Sequence, residues 1–175
     1  MSARRSTGLA AIDAQHDFLR VRRAAIAARL LARLRGSLAA ATRPGAAAAA
    51  QTPIADSELL RYDEVVHQLG FASEQRLGMQ VVPLDAIVGT LDRGCQFDRR
   101  FRPLTARLRS RWEQIAAAMR RGEPLPPIDL VQIDGGYFVR DGHHRVSVAR
   151  ALGYKDIDAI VTEVLTERRP RASLA

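Results

Sequence analysis

Cysteine is nearly absent from this chain of 175 residues, which contains a single one, Cys95. One thiol cannot form an intramolecular disulfide, so the sequence excludes a disulfide-stapled fold and favours a reducing, cytoplasmic location. No apolar run approaches the roughly 20 residues that cross a bilayer. The N-terminal segment also lacks the apolar core of a secretory signal. We therefore expect a cytoplasmic protein without a membrane partner.

Lysine is almost missing as well, because Lys155 is the only one among 27 basic residues. The formal net charge is +8, and the arginines are concentrated in two segments. Residues 1–43 contain nine arginines and two acids, and residues 93–121 contain the same numbers. Arginine binds phosphate with a forked guanidinium, although GC-rich coding produces the same bias. The charge favours an anionic partner, which could be a nucleotide, a nucleic acid or an acidic protein.

Aromatic residues make up only 5% of the chain, whereas hydrophobic residues make up 47%. This length and composition suit one well-buried domain with extensions and are short for two domains. Periodicity and composition divide the chain into a basic amphipathic helix (1–36), an Ala/Pro linker (37–55), a helical lead-in (56–78), a compact domain (79–166) and a basic tail (167–175).

The first segment is predicted as one helix over residues 7–35, ended by Gly36. Apolar residues recur along it at three-to-four spacing: Phe18, Leu19, Ile26, Leu30, Leu31 and Leu34. Arg22, Arg29 and Arg33 are predicted on another face. In one interpretation these arginines bind nucleic acid. In the other they are solvated, and the helix packs on its own domain or on a second copy in a homodimer.

The remaining elements predict an α+β fold, a small mixed-sheet domain with a helical N-terminal extension. The loop over 89–103 contains Phe97 and Phe101, which we expect to pin it to the core. The predicted elements are a helix at about 56–69 capped by Asp56 or Ser57, a strand at Met79 to Val82, a helix at about 105–121 capped by Thr105, strands at Ile128 to Ile133 and Tyr137 to Arg140 joined by Asp134-Gly135-Gly136, a helix at 143–152 ended by Gly153, and a strand at Ile157 to Leu165.

Five consecutive residues between the hairpin and the last helix, Asp141-Gly142-His143-His144-Arg145, are the strongest site signal. Gly142 permits close approach of a ligand to the backbone, and the first amides of the helix lack internal partners. Arg145 is a permanent forked cation, and His143 and His144 can add charge or act as an acid. The segment therefore predicts phosphate binding by Gly142, His143, His144 and Arg145.

Asp141 and His143 are the candidate catalytic residues of this segment. Asp141 could hold a Mg²⁺ ion that bridges phosphates, accept a proton from an alcohol, or simply cap the helix. Arg145 could instead be a structural salt-bridge partner. Adjacent histidines on a helix point apart, which disfavours a zinc site.

The run from Leu125 to Val161, with Val82-Pro-Leu-Asp-Ala-Ile87 and Phe101-Arg-Pro103 before it, resembles the ParB/sulfiredoxin-like superfamily over about residues 80–165. The remainder is similar to actinobacterial-type proteins labelled ParB-like. In ParB proteins the segment reads Gly-Glu-Arg-Arg and contacts the phosphates of CTP, and Gly142 and Arg145 match it. In sulfiredoxins it reads Gly-Cys-His-Arg, and His143 stands where the nucleophilic cysteine would be, which excludes that chemistry.

The free-serine kinases of the superfamily read Asp-Gly-His-Thr-Arg, and Asp141, Gly142, His143 and Arg145 match them. Those kinases also use a glutamate after the first strand, and no glutamate lies between Val81 and Arg111 here. The resemblance implies a nucleotide-phosphate-binding protein for ATP, ADP or CTP with Mg²⁺, acting as a phosphotransferase or nucleotide hydrolase. The alternative is a non-enzymatic, nucleic-acid-associated or regulatory module that uses its arginine-rich helices.

Overall fold

A computed structural model describes residues 2–41, 59–92 and 96–167 of the chain, with side chains of the first helix described over 8–32. The predicted caps Asp56 and Ser57, most of the predicted linker, Cys95 and nearly all of the basic tail lie outside these residues. The division of the chain into domains therefore stays a prediction.

Four α-helices and one mixed sheet of six strands form the described fold, which confirms the predicted α+β class. In chain order the elements are α1 (Ser2–Ala41), β1 (Leu60–Arg61), α2 (Tyr62–Leu69), β2 (Phe71–Pro83), β3 (Ile87–Thr90), α3 (Arg109–Arg120), β4 (Ile128–Ile133), β5 (Gly136–Asp141), α4 (His143–Leu152) and β6 (Asp156–Thr166). The strand order across the sheet is β1-β3-β5-β4-β6-β2.

Alternating residues of the central strands bury the sheet on both faces. On one face Leu130 and Val139 pack with residues of α1, α3 and α4. On the other face Val131 and Phe138 pack beneath α2. The two central strands β4 and β5 are antiparallel, and β3 runs parallel to β5. This arrangement brings the carboxyl ends of β3 and β5 to the same edge, where α4 begins.

The first helix packs through its small residues, which corrects the predicted buried face. Ala10, Ala14, Phe18 and Ala25 are buried, whereas much of the predicted apolar face is exposed by 38–54%: Leu19, Ile26, Leu30 and Leu31. Alanines let α1 lie close to α3, where Phe18 meets Trp112 edge-to-face with ring centroids 5.6 Å apart. The exposed apolar residues are the surface that a homodimer would use, and that homodimer stays a prediction.

The helix also continues beyond Gly36 to Ala41, so the predicted stop is wrong. Glycine inside a helix costs only about 1 kcal/mol relative to alanine, and the alanines that follow favour continuation. No helix in the described parts of the chain is both long enough and apolar enough to span a bilayer.

The strands before residue 91 differ most from the prediction. Residues 71–78, predicted within a helical lead-in, belong to the 13-residue strand β2, which pairs antiparallel with β6 along its length. The helix before it begins only at Tyr62. The short strand β3 was not predicted, and its last two residues lie in the predicted loop over 89–103. Residues 71–78 lack a local β pattern, and their pairing with β6 makes them part of the strand.

Candidate functional site at the amino end of α4

The predicted phosphate-binding segment lies at the turn from β5 into α4. Asp141 ends the strand, Gly142 takes a left-handed conformation at φ 108°, and His143 begins the helix. A Cβ at Gly142 would lie 2.4 Å from Cγ2 of Ile128. The fold therefore requires glycine here for the turn and for packing, which explains this residue without a ligand.

The first turn of α4 has no side-chain cap. The first helical hydrogen bond runs from the amide of Val146 to the carbonyl of Gly142, at 3.0 Å. The amides of His143, His144 and Arg145 precede it and have no acceptor within the helix. Asp141, which could have capped the helix, accepts instead from Arg145 Nη2 at 2.7 Å. The amino end of α4 thus offers three backbone donors and the positive end of the helix dipole.

Arg145 is held by the domain and does not reach out as a free cation. Its Nη1 donates to the carbonyls of Pro126 and Pro127, at 2.5 and 2.8 Å, and its side chain is only 13% exposed. The guanidinium therefore fastens the proline-rich connector before β4 to α4. The geometry therefore favours a structural role for Arg145, which the sequence had left open.

His143 is covered by aromatic rings and bonded to a hydroxyl. Its Nε2 lies 2.7 Å from Oγ1 of Thr90, which also accepts the amide of Asp92 at 2.9 Å. The ring of Phe97 stacks on it, with centroids 6.2 Å apart, and Phe101 lies tilted at 6.4 Å. Burial lowers the pKa of His143, and the charges of Asp92 and Asp141 oppose part of that shift.

His144 is also kept neutral. Burial lowers its pKa to about 4, and the positive charge of Arg111 and the neighbouring His143 add to the effect. Phe97 meets its ring edge-on at 5.3 Å, and its Nδ1 is buried without a hydrogen-bond partner among the described residues. The lowered pKa values favour the neutral form of both histidines at neutral pH.

The loop over 97–103 closes over these histidines, and it is pinned as predicted. Phe101 is fully buried and Phe97 is 6% exposed. The buried carboxylate of Asp98 accepts the amides of Arg100 and Arg102, and it binds the Arg102 side chain at 2.7 Å. The prediction that the Thr105 side chain caps a helix is wrong. Its hydroxyl donates to Gln96 Oε1 at 2.6 Å and makes no capping hydrogen bond.

Residues 96–175 match the family model of the ParB N-terminal domain. This C-terminal part of the chain is therefore similar to a ParB N-terminal domain. This confirms the predicted resemblance to ParB proteins, and the match includes the loop over 97–103 and all of α4. A crystal structure of sulfiredoxin from Arabidopsis thaliana is similar over 47% of this chain and 82% of that chain, with 23% identity and a TM-score of 0.35. No curated protein matches the chain.

Thr90 and Asp92 are the residues near the ParB-like site that sequence reasoning missed. They are more than 50 residues from α4 in the chain, and the parallel pairing of β3 with β5 brings Thr90 opposite Val139. The available signal was Gly89-Thr90, which is followed after Leu91 by the charged residues Asp92 and Arg93. The sequence pattern does not show which strand lies beside β5.

Asp141 has an exposed carboxylate at the ParB-like site, of the kind that binds Mg²⁺ together with phosphates. The Asp141 side chain is 70% exposed, and its Oδ2 is the oxygen that binds Arg145. Mg²⁺ commonly keeps several waters and takes one or two carboxylates plus substrate phosphates. The described residues contain no group of three or more His, Cys, Asp or Glu side chains that could hold a metal by themselves.

The lowered histidine pKa values predict a loss of stability in mild acid. In the unfolded chain a histidine titrates near pH 6.5, whereas His144 in the fold has its pKa lowered to about 4. Between these values the unfolded state binds more protons, so the free energy of unfolding falls as pH decreases from about 6.5 towards 4. We expect urea unfolding at a series of pH values to show this decline.

His144→Gln should reduce the difference in stability between pH 7 and pH 5, because glutamine does not take up a proton when the chain unfolds. His67→Gln on the exposed side of α2 is the matched control. If His144→Gln left the pH dependence of stability unchanged, His144 would not be a source of the loss in mild acid.

Proposed function

We propose that the ParB-like domain binds the phosphates of a nucleotide, such as ATP, ADP or CTP, at the amino end of α4. The observation that supports this proposal is the uncapped first turn. The amides of His143, His144 and Arg145 have no acceptor in the helix, and the N-cap residue, Gly142, has no side chain to cap them. Backbone donors combined with the helix dipole favour a bound phosphate.

In this proposal the backbone supplies the main contacts. Arg145 is already bound to Pro126 and Pro127 and shapes the site, while its bond to the exposed Asp141 is the one that a phosphate could replace. Neutral His143 and His144 would contribute hydrogen bonds and no charge. Asp141 would hold Mg²⁺, whose charge would offset that of the nucleotide.

A phosphotransferase or hydrolase reaction would depend on the same residues. Asp141 has the exposed carboxylate and would accept the proton from the attacking hydroxyl or water. The Nε2 of His143 is bonded to Thr90 beneath the ring of Phe97, which suits it to holding the helix start in place.

The nucleic-acid alternative has less structural support. It relied on Arg22, Arg29 and Arg33 as a row of phosphate ligands. Arg22 is half-buried, with its Nε buried and without a partner among the described residues, and only Arg29 is exposed among the two whose side chains are described. The side chain of Arg33 lies outside the described part of α1.

The test is a titration of ¹⁵N-labelled protein with ATP, ADP, CTP and GTP, with and without Mg²⁺. We expect the largest amide shifts at His143, His144 and Arg145, together with a nucleotide-dependent rise in melting temperature. Asp141→Asn should weaken Mg²⁺-nucleotide binding about tenfold, the size of one charge-assisted contact, and should not weaken binding without Mg²⁺.

Asp134→Asn at the opposite end of β5 is the matched control, because it removes one exposed carboxylate in a turn that asparagine tolerates. Absence of shifts in the first turn of α4 at millimolar nucleotide would refute the proposal.

A further inference from the structure

A cleft of about 810 Å³ lies between α1, the loop over 97–103 and the second half of α4. We call it the basic cleft, because one acid, Asp85, lines it together with six basic side chains: Arg20, Arg99, Arg100, Arg102, Arg150 and Lys155. From α4 it includes Ser147 and later residues, and none of the first turn. The two arginine-rich segments of the sequence thus meet here, away from the site proposed above.

Arg150 is a half-buried cation of this cleft, and the described groups that it hydrogen-bonds are neutral. Its Nη2 donates to the carbonyls of Leu84 and Ile87, at 2.5 and 2.9 Å, and its guanidinium lies 5.0 Å from the ring centroid of Phe101. Within the described residues no carboxylate forms an ion pair with it, and its Nε is buried there without a hydrogen-bond partner.

A charge that burial partly removes from water is usually paired in proteins, because its lost hydration is otherwise not compensated. Burial accordingly lowers the pKa of Arg150, against the opposing influence of Asp85 and Asp98. An anion in the basic cleft would supply the missing compensation.

The other basic residues of the cleft are only partly neutralised. Asp17 binds Arg20 at 2.9 Å and also binds Arg120, so one carboxylate serves two guanidinium groups. Arg102 is paired with Asp98. Arg100 and Lys155 are exposed at the cleft. The cleft therefore has an excess of positive charge, which would attract an anion with more than one charged group.

The size and walls of the basic cleft suit a small ligand. Its volume falls within the range of about 300–1,000 Å³ that is common for small-molecule sites. Leu84 and Ile87 contribute to its lining, and Tyr154, 48% exposed, adds an aromatic ring. An aromatic ring beside cations can stack on a base while the cations bind phosphates.

We propose that the basic cleft binds a small ligand with two or more phosphates, such as a nucleoside polyphosphate. It does so independently of the amino end of α4, so this proposal does not depend on the function proposed above.

The probe is sodium tripolyphosphate without Mg²⁺, added to the ¹⁵N-labelled full chain at ~0.15 M salt, where charges far apart are screened. We expect amide shifts at residues 99–102 and 153–155. Arg100→Glu/Lys155→Glu should weaken this binding by about tenfold or more, because two attractive contacts become repulsive. Arg150 is left in place, because it also holds Leu84 and Ile87.

Arg76→Glu/Arg107→Glu is the matched control, since it makes the same change in net charge at exposed positions outside the cleft. It should alter the affinity by about twofold or less, because distant exposed charges are screened. Equal weakening in both double variants, shifts confined to residues 143–145, or no shifts would each overturn the proposal. Tighter binding of a short single-stranded DNA at residues 99–102 would also overturn it, in favour of a nucleic-acid surface.

Discussion

Gly142→Ala should lower the free energy of unfolding by about 3–5 kcal/mol, the largest effect that we expect from a single methyl group in this protein. At φ 108° an L-residue is strained, and the added Cβ would meet Ile128 Cγ2 and Cβ, at 2.4 and 2.7 Å. Both atoms belong to Ile128, which is fully buried in β4 and has no room to move away. Urea unfolding measures the loss.

Gly153→Ala separates the two causes. Gly153 has φ 81°, also left-handed, but a Cβ added there would meet no atom within 4 Å among the described residues. This change should therefore cost only about 1 kcal/mol, the backbone contribution alone. Combining Gly142→Ala with Ile128→Ala should cost less than the sum of the single changes, because the smaller side chain relieves part of the overlap. Equal losses at Gly142 and Gly153 would show that the contact with Ile128 is unimportant.

Arg145→Ala should cost about 1–3 kcal/mol of stability, because it leaves the half-buried carbonyl of Pro127 and the exposed carbonyl of Pro126 without their donor. The exposed partner Asp141 contributes little of this, since ion pairs to solvent-exposed carboxylates are weak. Arg145→Lys should recover less than half of the loss, because an ammonium group cannot span the carbonyls and the carboxylate as a fork does. Urea unfolding with linear extrapolation gives the comparison.

Arg140→Ala is the matched control for Arg145→Ala. Arg140 is the neighbouring arginine on β5, its side chain is 39% exposed, and its ion-pair partner, Asp129, lies 3.7 Å away. We expect a change within about 0.5 kcal/mol. If Arg145→Ala were as mild as Arg140→Ala, the guanidinium would not fasten the connector and would be free to bind a ligand.

The structural role of Arg145 also affects how ligand-binding experiments should be designed. A loss of nucleotide binding in Arg145→Ala would combine a lost phosphate contact with a displaced Pro126–Pro127 connector. Asp141→Asn and the amide shifts of α4 avoid this ambiguity, because Asp141 is exposed and the amides report directly on the proposed donors. The proposed nucleotide site and the basic cleft can therefore be tested separately on the same helix.

The part of the fold after residue 105 was predictable because its signals are local. The predicted bounds of β4 and α4 are the observed ones. Asp134 and Gly135 have φ 48° and 81°, the two positive values that a tight hairpin requires. Gly153 ends α4 in a left-handed conformation, as such glycines commonly do. Each of these features depends on residues within a few positions of one another.

Tertiary structure decided the elements and contacts that join distant residues. The length of β2 depends on β6, and the buried face of α1 depends on the close approach of α3. Sequence placed five site residues in one segment, and it could not show that Arg145 would meet carbonyls 18 and 19 residues away or that His143 would meet Thr90, 53 residues away. Those contacts determine charge and accessibility, because burial removes water and leaves a side chain only the partners that packing provides.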